Sequence, residues 1–201
     1  MNDGRLVVQF RYFVVGALVL AGSWPSLAAA QEGRVPTPTV QHGGHRPDQK
    51  ARDNALVRVV RESTERFKDV AVAEAEGYAL QFGCVSGSDY GAMGLHYVNG
   101  ALVDGEIDAT KPETVIYEPT GDGRVRLIGA DYLVFKDAWD AKHASPPELM
   151  GQLFHLFDAP NRFGLPAFYV LHVWAWKENP TGAFANWHAN VSCNAFDGQK
   201  R

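Results

Sequence analysis

The spacing of apolar residues changes once along this chain, and that change limits the fold more than any motif does. From Asp53 or Asn54, either able to cap a helix N-terminus, the residues Leu56, Val59, Val60, Phe67, Val70, Ala71 and Tyr78 recur at three- and four-residue intervals. That is the period of an amphipathic helix. Arg58, Arg61, Glu62, Glu65, Arg66 and Lys68 fill the opposite face, and Gly77 is the usual kind of residue for a C-terminal cap. One long helix is therefore expected before Tyr78. Beyond a loop at 83–91 the period shortens to two, with β-rich runs at 94–98, 114–118, 125–135 and 168–176. Gly121-Asp122-Gly123 joins the second and third runs as a hairpin turn, since glycine and aspartate tolerate positive φ. Pro146-Pro147-Glu148 opens what reads as a short inserted helix carrying Leu149, Met150, Leu153, Phe154 and Phe157.

A leading helix followed by hairpin-linked strands predicts an α+β fold. The expected architecture is an antiparallel, open or barrel-like sheet of about four to six strands, packed by the long N-terminal helix and the short inserted one. The regular β-α-β alternation of a doubly wound fold is missing. A single domain is expected over 53–196, preceded by a flexible leader at 31–52 rich in Pro, Gly, Gln and Thr. His42 and His45 fall in that leader, where solvated histidines are the ordinary case.

Residues 1–30 have the parts of a secretory signal peptide: Arg5 and Arg11, an apolar run at 12–21, and Ala28-Ala29-Ala30 as a cleavage site. The apolar run is shorter than the roughly 20 residues that span a bilayer. The expected destination is the periplasm or the exterior, with no stable membrane insertion after cleavage. Lys and Arg number 19 against 23 Asp and Glu, a formal net charge of −4; cleavage would make it one unit more negative. That balance argues against nucleic acid or an anionic membrane as a partner. The two cysteines, Cys84 and Cys193, are most simply one disulfide in an exported chain. In the chain-entropy account, closing a loop of roughly 110 residues contributes on the order of 4 to 5 kcal/mol.

Ionisable residues inside apolar strands need a partner or a function. His172 shares a face with Val170, Trp174 and Trp176; Asp131 with Leu127, Leu133 and Phe135; His96 interrupts the run Gly94 to Asn99. With Glu118, and with Glu74 where the helical stripe lands on a carboxylate, these form a candidate set for a divalent zinc, iron, nickel or copper ion. Neutral core histidines and a metal-free acid–base pair are the alternatives. A second candidate is an aromatic ligand pocket built from Trp174, Trp176, Trp187 and His188. There is no G-x-S-x-G elbow, no phosphate-binding loop and no G-x-G-x-x-G opening a helix, so hydrolase and nucleotide readings lack a motif.

Glu76-Gly77-Tyr78, the run Gly94-Leu95-His96-Tyr97-Val98-Asn99, Pro112-Glu113, Leu127 to Tyr132, and His172-Val173-Trp174 through Asn179-Pro180 to Cys193 resemble a family of uncharacterised exported bacterial proteins. The resemblance covers about 55–193 and implies a bacterial periplasmic or secreted setting. It brings no activity, cofactor or catalytic residue. The residues themselves leave three roles open: a small-ligand or metal-binding protein, an extracytoplasmic enzyme using the same groups, and a structural or interaction domain. Oligomeric state is not legible.

Overall fold

The computed structural model describes residues 54–87 and 89–200. The expected signal peptide and leader, with His42 and His45, lie outside these residues.

Asn54 begins the first helix, its Oδ1 accepting from Leu56 N at 2.9 Å and Val57 N at 3.4 Å. This satisfies two of the amides that a helix start leaves without partners. The expected long helix is divided into α1 (Ala55–Thr64), a 3-10 turn (Glu65–Lys68) and α2 (Val70–Ala75). Asp69 makes the break. Its backbone is extended (φ −90°, ψ 109°) and its side chain accepts from Ala71 N, so it caps a new helix instead of continuing the old one. The terminus falls where expected. Gly77 adopts φ +94°, and Gly77 N and Tyr78 N donate to Glu74 O and Ala73 O, the paired bonds of a Schellman cap.

A six-stranded antiparallel half-barrel follows, in the order β1-β2-β3-β4-β8-β7. Its strands are β1 (Ala79–Ser86), β2 (Ala92–Val98), β3 (Thr114–Pro119), β4 (Val125–Phe135), β7 (His155–Phe157) and β8 (Phe168–Val173). β1 was hidden by its glycine: part of it lies in the stretch that reads as a loop, because Gly83 belongs to a bulge between Gln81 and Cys84. The inserted helix is likewise corrected. Its residues form a two-stranded hairpin, β5 (Glu148–Leu149) and β6 (Gln152–Leu153), and then β7. Met150 (φ +49°) and Gly151 (φ +84°) supply the two left-handed residues of a tight hairpin turn. Ten residues are too few for a helical stripe to be told from two short strands. A one-turn helix, α3 (Lys136–Asp140), sits elsewhere, directly after β4.

Strand alternation gives the sheet two unlike faces. α1 packs Leu56, Val57 and Val60 against Ala130, Tyr132, Val134, Leu171 and Val173, while Phe67, Ala73 and Tyr78 join Leu95, Val115 and Tyr117. Each fully buried side chain of this kind contributes about 1.5 to 3 kcal/mol. The other face carries Val98, Thr114, Asp131, Leu133, Val170 and His172.

Cys84 and Cys193 form the expected disulfide. It ties the C-terminal segment to β1, and Cys84 N also donates to Gln199 O at 2.9 Å.

Candidate metal centre

Register alone brings the three central residues together. Asp131 on β4 lies directly opposite His172 on β8 and Thr114 on β3. Thr114 in turn pairs with Val98, two residues beyond His96 and on the same side of β2. All three side chains therefore project from the face away from the helices. Asp131 Oδ2 is 3.3 Å from His96 Nε2 and Asp131 Oδ1 is 3.5 Å from His172 Nε2. The rings of the two histidines stand edge to face, 6.0 Å apart. His96 is 8% exposed, Asp131 2% and His172 2%.

The contacts among these groups leave polar atoms without hydrogen-bond partners: His96 Nδ1, Asp131 Oδ1 and both ring nitrogens of His172. A buried polar atom left so costs about 1 to 3 kcal/mol, and native cores rarely concentrate several in one place. Each residue offers one donor atom, and the three donors lie within 4.8 Å of one another. The edge of a tetrahedron with metal bonds near 2.0 to 2.1 Å is about 3.4 Å; the two nitrogens lie 3.3 and 3.5 Å from different oxygens of Asp131, and one donor atom from each residue falls within 4.8 Å of the others. A buried His/Asp/His group of this geometry could hold a metal ion. With three protein donors, a four-coordinate ion would keep one position for a further ligand, as catalytic and ligand-binding sites do.

Electrostatics favour a ligating form of His172. Burial pushes its pKa down to about 4, against an opposing pull from Asp131, so the ring is neutral and keeps a lone pair at neutral pH. A residue that sequence reasoning missed stands behind it. The Asn186 carboxamide reaches His172, and Asn186 Oδ1 is itself buried without a well-formed partner. With Nε2 of His172 turned to Asp131, Nδ1 is the nitrogen that Asn186 would have to meet. A carbonyl accepting from Nδ1–H would hold the tautomer whose Nε2 can ligate. No periodicity marks Asn186, because its segment belongs to no strand or helix.

The remaining candidates go elsewhere. Glu74 is exposed on α2, since the break at Asp69 re-phases the helical stripe. Glu118 is buried but bonded to Arg126 Nη2 and Lys177 Nζ, each at 2.6 Å. Burial pushes its pKa up, and these two cations outweigh that and hold it below the usual value. Trp174 is core, stacked on His172 at 5.7 Å and edge-on to His188 at 4.9 Å. Trp176 turns to the helices, donating to Thr64 Oγ1 and receiving Lys68 over its ring. Trp187 covers Gly87, and His188 is fully buried with Nδ1 accepting from Asn190 N. None of these four lines the cavity that adjoins the metal-type cluster. That cavity, about 40 Å³, is bounded by His96, Asp131 and His172 on one side and by Phe82, Phe157 and Phe163 on another.

Comparison with protein-family models, curated proteins and solved structures finds no match to this chain.

Proposed function

We propose that this is an exported metal-binding protein in which His96 and His172, each through Nε2, and Asp131, through a carboxylate oxygen, hold one divalent cation. The observation that carries the reading is the convergence of three buried donors, each on a residue that keeps at least one buried polar atom without a hydrogen-bond partner. Two imidazoles and one carboxylate suit zinc or ferrous iron best, with nickel and copper as further candidates. The disulfide supports an oxidising compartment, and the N-terminal signal pattern and the resemblance to exported bacterial proteins support the same destination. An open coordination position facing a cavity also suits a metal-dependent enzyme at this site.

The test is the metal content of the untagged protein purified from an oxidising compartment, beside Asp131→Asn and His172→Ala. About one ion per chain is expected in the parent, with affinity falling more than about 100-fold in either variant. A folded parent that takes up no zinc, ferrous, nickel or copper ion after dialysis against each would sink the reading.

A further inference from the structure

Resting on that metal reading, we infer that the fourth ligand of the site is a small aromatic or branched carboxylate, its anionic head on the metal and its apolar body in a phenylalanine-lined chamber. The cavity beside the donors is about 40 Å³, room for little more than a water or two. A second cavity of about 220 Å³ adjoins it, and Phe82, Val98, Leu133 and Leu165 line both. These four side chains are the partition. Phe82 and Leu165 are only half-buried, so rotamer changes at the surface join the two spaces. An apolar cavity of roughly 150 Å³ accommodates benzene, so the joined chamber takes a single ring or a short branched chain and nothing much larger.

Its walls set the chemistry of the body. Phe157 stacks on Phe168 with centroids 5.2 Å apart, and Phe163 lies 5.4 Å from Phe82, 6.1 Å from Phe157 and 6.2 Å from Phe168. Rings in this tilted and stacked arrangement favour another ring among them. Phe82 is placed there by its backbone. It has φ +64° within the β1 bulge, a conformation unfavourable for a bulky side chain, and strain of this kind tends to cluster where ligands are clamped.

The charge of the head follows from the donors. A divalent cation ligated by two imidazole nitrogens and one carboxylate would carry a net positive charge, which an anionic oxygen donor neutralises. Among the described residues no lysine or arginine lines the cavity, so the cation would supply the counter-charge there. Without it, Asp131 would repel the same head. Carboxylate binding is therefore metal-dependent, and preference for an apolar body is separable from it.

The experiment uses the untagged protein loaded with cobalt(II), whose visible spectrum reports an inner-sphere ligand. Metal content is read first, then titrations with acetate, benzoate and 3-methylbutanoate are run on loaded and metal-free protein. Benzoate is expected to bind the loaded protein at least about tenfold more tightly than acetate, to perturb the cobalt bands, and to leave the metal-free protein untouched. In Phe82→Ala and in the cavity-filling Leu165→Trp, the ratio of benzoate to acetate affinity is expected to fall several-fold, with folding verified by circular dichroism. Failure to load metal overturns both this inference and the metal reading. Stoichiometric metal with equal affinity for acetate and benzoate, or with neither bound, overturns the ligand inference alone.

Discussion

The two faces of the sheet bury similar kinds of groups and treat them differently. Between sheet and helices, Tyr78, Tyr117 and Tyr132 donate their hydroxyls to Pro112 O, Phe67 O and Ala109 O at 2.7, 2.7 and 2.6 Å. Glu113, buried close to Tyr78 and Tyr132, accepts from Leu133 N at 3.1 Å. On the opposite face, His96, Asp131, His172 and Asn186 all keep buried polar atoms without partners. Among the described residues the only other such atom is His188 Nε2, beside Trp174. A satisfied buried polar group stabilises a fold, whereas a cluster of unsatisfied ones sacrifices stability for something else. The contrast separates a scaffold face from a working face.

The sharpest way to break this contrast is to damage the scaffold face and ask whether the working face notices. Phe67→Ala is expected to lower stability by about 3 to 5 kcal/mol in urea titrations, with metal stoichiometry unchanged wherever the protein stays folded. Loss of metal at equal folded fraction would show that the faces are not independent.

Acid–base titration of stability separates the faces next. Burial pushes Glu113 up to about 8 from 4.5, so its contribution is full below pH 4.5 and is lost as pH rises toward 8. His172 is pushed down from 6.5 to about 4, so its contribution is full above pH 6.5 and is lost as pH falls toward 4. The two slopes cancel between pH 4.5 and 6.5. Metal-free protein should hold a plateau there and then lose about 2 kcal/mol by pH 8. Glu113→Gln should abolish that alkaline loss and uncover a rise of about 3 kcal/mol between pH 4 and 6.5. A flat profile in Glu113→Gln would mean that His172 is not held neutral by burial.

A smaller effect tests the group behind His172, the proposed metal ligand. Asn186→Ala is expected to weaken metal affinity about 10- to 100-fold, measured by chelator competition, with metal-free stability nearly unchanged. An affinity equal to the parent would remove Asn186 from the site. The smallest effect belongs to the scaffold: Tyr117→Phe should cost about 1 kcal/mol in thermal unfolding and leave metal affinity alone.

Much of the site was legible because strand alternation is a rigid rule. His96, Asp131 and His172 stand out as polar residues in apolar runs, and the period correctly places Leu133 beside Asp131 and Val170 beside His172. It fails for Trp176, which lies beyond the end of β8 and turns to the helices, and for Leu127, which a bulge in the pairing of β3 and β4 shifts into the helix-side core. Glu118 stands out by the same rule and is nevertheless a structural ion pair. Only its cross-strand partner Arg126 and the distant Lys177 reveal that. Glu74 misleads for a different reason, since one side-chain cap at Asp69 is enough to re-phase everything after it. Asn186 gives no signal, and the phenylalanine chamber none either, because Phe82 and Phe163 lie on a bulge and in a loop, where no period relates sequence to direction.

By itself the sequence determined the α+β character, strands β2, β3, β4 and β8, a helix start at Asp53 or Asn54, its terminus near Gly77 and the pairing of two cysteines. Each follows from local chemistry: a repeat period, a capping side chain, a positive φ, or the absence of any other thiol. Only the tertiary structure decided that Asp131 lies between two histidines, that Glu118 meets two cations and that the inserted segment is a hairpin. Those outcomes depend on strand order and register, which are set by which surfaces bury together across the whole sheet rather than by any one segment.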